Sequence, residues 1–204
     1  VSTDLFDFDE QLRKEGKAPL AGCDEAGRGP IAGPVVASAV ILPTGLRIAG
    51  LRDSKKLSPS RRESLFWEIL EKAEAVGVGI ADHKVIDRIN ILRATIKAMC
   101  AAMEDLIVPP RMIVVDALRL PVKTEQLTLV RAEDRSASVA AASVVAKVTR
   151  DRLMDHLHSL YPEYGFNRHR GYATREHLLM LEKLGPSPVH RRTFSPVSSL
   201  KLPF

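Results

Sequence analysis

The chain has 204 residues, 45% hydrophobic and 27% charged, a composition that excludes a disordered polymer and supplies enough apolar side chain for a core. No apolar run reaches the roughly 18 residues that a membrane-spanning helix needs. The acidic start VSTDLFDFDEQLRKEG does not read as a secretory leader, and Cys23 and Cys100, without CxxC spacing, suit neither a disulfide framework nor a zinc site. The expectation is a cytoplasmic protein with reduced thiols, built as one catalytic domain over residues 1–204. A formal charge of +5 favours a polyanionic partner.

In chain order, residues 4–15 form a short amphipathic helix with Leu5, Phe6, Phe8 and Leu12 as its apolar positions. A strand at Leu20–Asp24 leads through the turn AGRGPIAGP into a continuous apolar strand at Val35–Leu42, and so short a link predicts an antiparallel pair. Ser58-Pro59, a cap followed by proline, opens a helix with Leu65, Phe66, Ile69 and Leu70 on one face. Val76–Ala81 reads as a third strand and Ile89–Leu106 as a helix. Met112–Asp116 is a short strand ending on a carboxylate, and Gln126–Val130 is a fifth strand. Ser136–Leu160 is a long helix, and Thr174–Leu184 another, stopped by Gly185-Pro186. This order predicts an α/β protein with one central sheet.

Acidic residues recur where strands end: Asp24-Glu25, Asp116, and Glu133-Asp134 just ahead of the long helix. Each alone is explained by a solvated strand end, a turn or a helix dipole. Together they form a set of hard oxygen donors that one sheet can bring side by side, which suits Mg²⁺ or Mn²⁺ and phosphodiester hydrolysis. Lys55, Lys56, Lys147, Arg150 and the stretch Asn167–Tyr172 supply cations for phosphate contacts. Five of the six histidines fall late in the chain without HExxH spacing; they read as surface or supporting residues, with a phosphate contact open to His169. GRGPIAG does not meet the GxGxxG pattern and lies between strands, which argues against a nucleotide cofactor.

The segments AGCDEAGRGPIAGPVVASAVIL, DSKKLSPSRRESL, IDRINILRATIKAM, SASVAAASVVAKVTRDRLM and YGFNRHRGYATREHL…PVHRRTFSPV closely resemble, in order, the motifs of bacterial ribonuclease HII. The resemblance implies the ribonuclease H-like fold, a five-stranded mixed sheet flanked by helices. It also implies a site of four carboxylates and two metal ions, Mg²⁺ or Mn²⁺. Asp24 and Glu25 match the family's adjacent pair and Asp116 its strand-end acid. Gly27-Arg28-Gly29 matches the loop whose backbone senses a 2′-hydroxyl, and Tyr172 the tyrosine that packs on the following deoxyribose; Lys55 and Lys147 fall in motifs near the bound backbone. The fourth acid departs from the usual Gly-Asp: ungapped counting puts Ala132 and Glu133 there, with Asp134 as the substitute, and Ala117 stands where the family often has Gly. The implied activity is cleavage 5′ to ribonucleotides in duplex DNA or RNA–DNA hybrids by a monomer. The alternative is a nucleic-acid-binding member of the fold impaired in catalysis, supported by the changed fourth acid alone.

Overall fold

The computed structural model describes residues 4–200. Five strands, β1 (Leu20–Ala26), β2 (Val35–Ile41), β3 (Ala75–Ala81), β4 (Met112–Asp116) and β5 (Glu125–Leu129), form one mixed sheet in the order β3-β2-β1-β4-β5. The short turn after β1 returns the chain antiparallel as β2, and β3 pairs antiparallel with β2. On its other edge β1 pairs parallel with β4, and β4 parallel with β5. The fold is therefore the α/β, ribonuclease H-like arrangement expected from the sequence.

Alternation divides the sheet between two cores. Ala21, Cys23, Ala37, Ala39 and Ile41 face helix α4 (Ile91–Glu104), whereas Val40 and Leu42 join a cluster with helices α2 (Pro59–Lys72) and α5 (Ala137–Leu160). The first half of α5 is small, apolar and buried on all sides, as a helix lying centrally across a sheet must be. Ser136 caps it by accepting the Val139 amide at 3.3 Å, and Asp9 of helix α1 (Leu5–Leu12) accepts the Ser138 amide and hydroxyl at 2.8 and 2.7 Å. Both acceptors meet the positive end of α5. Close packing of α5 on β1 depends on Gly22, where an added Cβ would lie 2.1 Å from the Ser138 carbonyl carbon.

Two elements differ from expectation. The helix read at Ile89–Leu106 is α4, and an additional helix, α3 (His83–Ile89), precedes it, separated from it at Asn90 with φ of 67°. With ψ of 165° this positive-φ backbone cannot continue a helix, and the Asn90 side chain caps α4 by accepting the Arg93 amide at 3.1 Å. Asp82 caps α3 in the same way through Val85 at 2.8 Å, a start signal that apolar periodicity alone does not register. On α2, Leu65, Phe66 and Ile69 are buried, each contributing about 1.5–3 kcal/mol, but Leu70 remains 40% exposed. The helix packs chiefly on α5, and one neighbouring helix covers only a narrow stripe. The C-terminal region carries α6 (Phe166–His169) and α7 (Arg175–Leu184), the latter capped by Thr174 and ending at Gly185.

Because the obstruction at Gly22 is backbone, Gly22→Ala is expected to lower the unfolding free energy by at least about 1–3 kcal/mol, read from urea denaturation.

Candidate active site

The β1–β4 ladder ends with Cys23 opposite Val115, so the next residues, Asp24 and Asp116, leave two parallel strands side by side. Asp24 is buried on the α5 face, where Ser143 hydrogen-bonds its carboxylate and the Glu25 amide donates to Oδ1 at 2.8 Å. Glu25 is half-buried, with the Arg28 guanidinium 3.2 Å from Oε1. Asp116 accepts the Ala132 amide at 2.9 Å, which draws in the turn Ala132–Asp134. In that turn Glu133 is buried, with Lys55 Nζ 3.8 Å from Oε1. Asp134 is instead engaged by Lys56 and Arg131, whose hydrogen bonds and charges hold its carboxyl below the ordinary value.

Burial and then the Glu25 charge push the Asp24 carboxyl well above the usual range. Burial also raises Glu25, against the opposing pull of Arg28, and raises Glu133, to which Asp116 adds. Partial burial works against the Lys55 charge, but Asp53, Asp24, Glu133 and Asp116 outweigh it and keep the ammonium above its ordinary value. Oε2 of Glu25 and Oε2 of Glu133 are buried without a hydrogen-bond partner. Among the described residues no three Asp, Glu, His or Cys side chains converge closely enough to hold an ion as they stand. The donor chemistry nonetheless suits a hard divalent cation: oxygen ligands, two of them with unused buried lone pairs.

A cleft of about 340 Å³ opens beside the acids, lined by Glu25, Gly27–Gly29, Lys55, Lys147 and Tyr172 among others. Of the four acids only Glu25 lines it; Asp24 and Asp116 at the strand ends and Glu133 in its turn lie within electrostatic reach of Lys55, which lines the cleft. Gly27 has φ of 101°, and a Cβ there would lie 2.0 Å from Arg150 Nε, so only glycine fits. Tyr172 is 46% exposed, its ring next to Gly29. Lys147 is held by Asp151 at 2.7 Å, and burial lowers its ammonium from the ordinary value. Arg150, read from the sequence as a phosphate contact, is 1% exposed and donates to the carbonyls of Pro34 and Ala32 at 2.9 and 3.4 Å. Its place on the inner face of α5 turns it into a loop support.

Of the late histidines, read as surface or supporting residues, three form a buried supporting group. His169, His177 and His190 are buried around Phe166. The Gly171 amide donates to His169 Nδ1 at 3.2 Å, so His169 donates from Nε2 to the Tyr164 carbonyl at 2.7 Å. The Ser187 amide donates to His190 Nδ1 at 3.0 Å; His190 Nε2–H donates to His177 Nε2 at 2.9 Å, and His177 Nδ1–H to the Tyr172 carbonyl at 2.9 Å. This chain of donors requires neutral rings. Burial, then neighbouring charge for His190, lowers His177 to about 4 and His190 to about 3. His169 therefore contacts backbone, which leaves its ring no free edge for a phosphate. Arg191, absent from the sequence reading, is fully buried and donates to the Gly27, Arg28 and Gly33 carbonyls. Nothing in HRRTF distinguishes it from the exposed Arg192 beside it.

A mixed sheet in this order, with acids at the ends of its central parallel pair and a cationic cleft alongside, places the protein among those of the ribonuclease H-like fold. The crystal structure of ribonuclease H2 from Pyrococcus horikoshii OT3 superposes with a TM-score of 0.74 at 29% identity, covering 88% of this chain and 95% of that one. Ribonuclease HII in its PCNA complex from Archaeoglobus fulgidus gives 0.70 at 30% identity, covering 86% and 95%. A family model described as Ribonuclease HII matches residues 21–197. Ribonuclease HII of Enterococcus faecalis is 52% identical over 197 residues, covering 97% of this chain and 77% of that protein. Ribonuclease HII of Geobacter sulfurreducens is 53% identical over 191 residues, covering 93% and 88%. The chain belongs to the ribonuclease HII family, and so to the endoribonucleases of the type 2 ribonuclease H class.

The histidine chain gives a spectroscopic prediction. Long-range ¹H–¹⁵N spectra should show His177 as the Nδ1–H tautomer and His169 and His190 as Nε2–H, with His177 and His190 still neutral far below the ordinary value of 6.5. Unfolding lets both take protons near 6.5, so the stability tied to them is complete above that pH and is lost as pH falls toward 4 and then 3. An imidazole of this pair titrating near 6.5 in the folded protein would refute the arrangement.

Proposed function

We propose that this chain uses two divalent ions, Mg²⁺ or Mn²⁺, to hydrolyse the phosphodiester on the 5′ side of a ribonucleotide embedded in duplex DNA or in an RNA–DNA hybrid. Water attacks phosphorus, the bond to the 3′ oxygen breaks and that oxygen takes a proton, leaving a 3′-hydroxyl and a 5′-phosphate. The reading is carried by one juxtaposition: carboxylates with unpartnered buried oxygens stand beside a cleft lined by Gly27–Gly29, Lys55, Lys147 and Tyr172.

Asp24, Glu25, Asp116 and Glu133 are the residues we assign to the ions. When bound, such ions lower the pKa of the attacking water and stabilise the leaving oxygen. Glu133 is favoured over Asp134 because it is buried with an unpartnered oxygen, whereas Asp134 is engaged by two cations. The extra methylene of Glu133, compared with the family's usual Asp, lets it reach inward from its turn. Lys55 and Lys147 hold backbone phosphates, which position a duplex without reading its sequence. The Gly27–Gly29 backbone meets the 2′-hydroxyl, the group that separates RNA from DNA. The half-exposed Tyr172 ring packs on the next deoxyribose and favours a ribonucleotide followed by DNA.

An end-labelled duplex with one ribonucleotide is expected to be cut on its 5′ side only with Mg²⁺ or Mn²⁺, and chelation should stop the reaction. Asp24→Asn and Glu133→Gln should abolish cleavage while duplex binding persists. Asp134→Asn should change the rate by less than about fivefold, the scale of an exposed ion pair. Tight binding without cleavage under either metal would instead establish a binding protein, and a reversed outcome for Glu133 and Asp134 would exchange their roles.

A further inference from the structure

The loop Gly27–Gly33 carries no helix or strand, yet three of its carbonyl groups converge on one side chain. Arg191 Nη2 donates to the Gly27 carbonyl at 2.6 Å, Nη1 to the Arg28 carbonyl at 2.9 Å and Nε to the Gly33 carbonyl at 3.0 Å. The guanidinium is fully buried, rests on the Phe194 ring with 5.0 Å to its centroid, and has no carboxylate within ion-pair distance among the described residues. A buried cation without a counterion is costly, and full satisfaction by carbonyl oxygens limits that cost.

The planarity of the peptide bond gives the contact a consequence. In a trans peptide unit the N–H points away from the C=O. Turning the Gly27 carbonyl inward turns the Arg28 amide outward, and turning the Arg28 carbonyl inward does the same for the Gly29 amide. Neither amide has an acceptor among the described residues, and both belong to residues that line the cleft. The buried positive charge directly beneath makes that surface still more attractive to an oxygen lone pair.

We propose that Arg191 is a positioning residue that fixes ribonucleotide selectivity, by holding two adjacent peptide planes so that the Arg28 and Gly29 amides donate to the 2′-oxygen. The proposal rests on the reading of this loop as the ribose sensor. It assigns selectivity to a side chain that touches no substrate. The planar fork is essential: a lysine keeps the charge, but its single ammonium cannot grip three carbonyls in fixed directions.

The test compares a duplex containing one ribonucleotide with the same duplex in all-deoxy form, in Mg²⁺. The KM for the first and the inhibition constant of the second give a selectivity ratio that a reduced fraction of folded enzyme does not move. Arg191→Lys and Arg191→Met are expected to lower that ratio by on the order of tenfold or more, mostly by weakening the ribonucleotide duplex, because contacts to phosphate are made elsewhere. An unchanged ratio in folded Arg191→Lys would overturn the proposal while leaving the function intact. A wild-type enzyme that does not prefer the ribonucleotide duplex would overturn both. The unsubstituted protein supplies a second measurement should the variants not fold: ¹⁵N-labelled chain in complex with each duplex. The Arg28 and Gly29 amide resonances should shift with the ribonucleotide duplex and not with the all-deoxy one; equal shifts with both would sink the idea.

Discussion

Parallel pairing of β1 with β4 brings two carboxylates to the same end of neighbouring strands, and most of the molecule follows from what that requires. The ladder closes at Cys23 and Val115, so Asp24 and Asp116 emerge together where neither strand provides further hydrogen bonds. An antiparallel pair would have sent those residues to opposite ends of the sheet. Reaching the parallel edge of β1 takes the long path through β2, α2, β3, α3 and α4, and α4 then covers the face behind the acids.

The acidic end of the sheet is built at the expense of local stability. Burial and mutual repulsion raise Asp24, and burial raises Glu25 and Glu133, so the folded chain opposes its own carboxylate charges. Lys55 is the cation common to this group. Natural folds depart from local optimisation mainly at functional sites, and three of the four acids assigned to the ions show that departure. Elsewhere carboxylates serve the fold: Asp9 accepts through Oδ2 at the start of α5, and Asp87 accepts from the Arg192 and Thr193 amides.

Opposite the acids, the cleft is shaped by a region more than a hundred residues away in sequence. The Ile31 amide donates to the Gly171 carbonyl, the Gly33 amide to the Val189 carbonyl and the Arg191 amide to the Ile31 carbonyl, at 2.9, 3.0 and 2.8 Å. Behind these contacts lie two buried guanidinium groups and three neutral imidazoles, an interior held by directional hydrogen bonds as much as by apolar packing. Such networks specify one arrangement because each donor has a single acceptor in range, which suits a surface that must distinguish one hydroxyl group.

Much of this was legible in the order of residues. Strand periodicity, Ser58-Pro59, the Ser136 and Thr174 caps and the short β1–β2 turn are local signals, and the structure reproduces those elements. The acids at strand ends and the Gly27–Gly29 turn could also be singled out, since charge placed after an apolar strand is conspicuous in one dimension. Other features depend on distance through space. The break at Asn90 and the exposure of Leu70 follow from a backbone angle and from what a neighbouring helix happens to cover. The difference between Glu133 and Asp134 is a matter of which side chain the Asp116 contact draws inward. Arg191 and Arg192 are the same residue type side by side, and only the return of residues 187–194 across the loop after β1 makes one a buried clamp and leaves the other at the surface. A sequence records which groups are present, whereas burial, pairing and the direction of a hydrogen bond come into being only when distant segments meet.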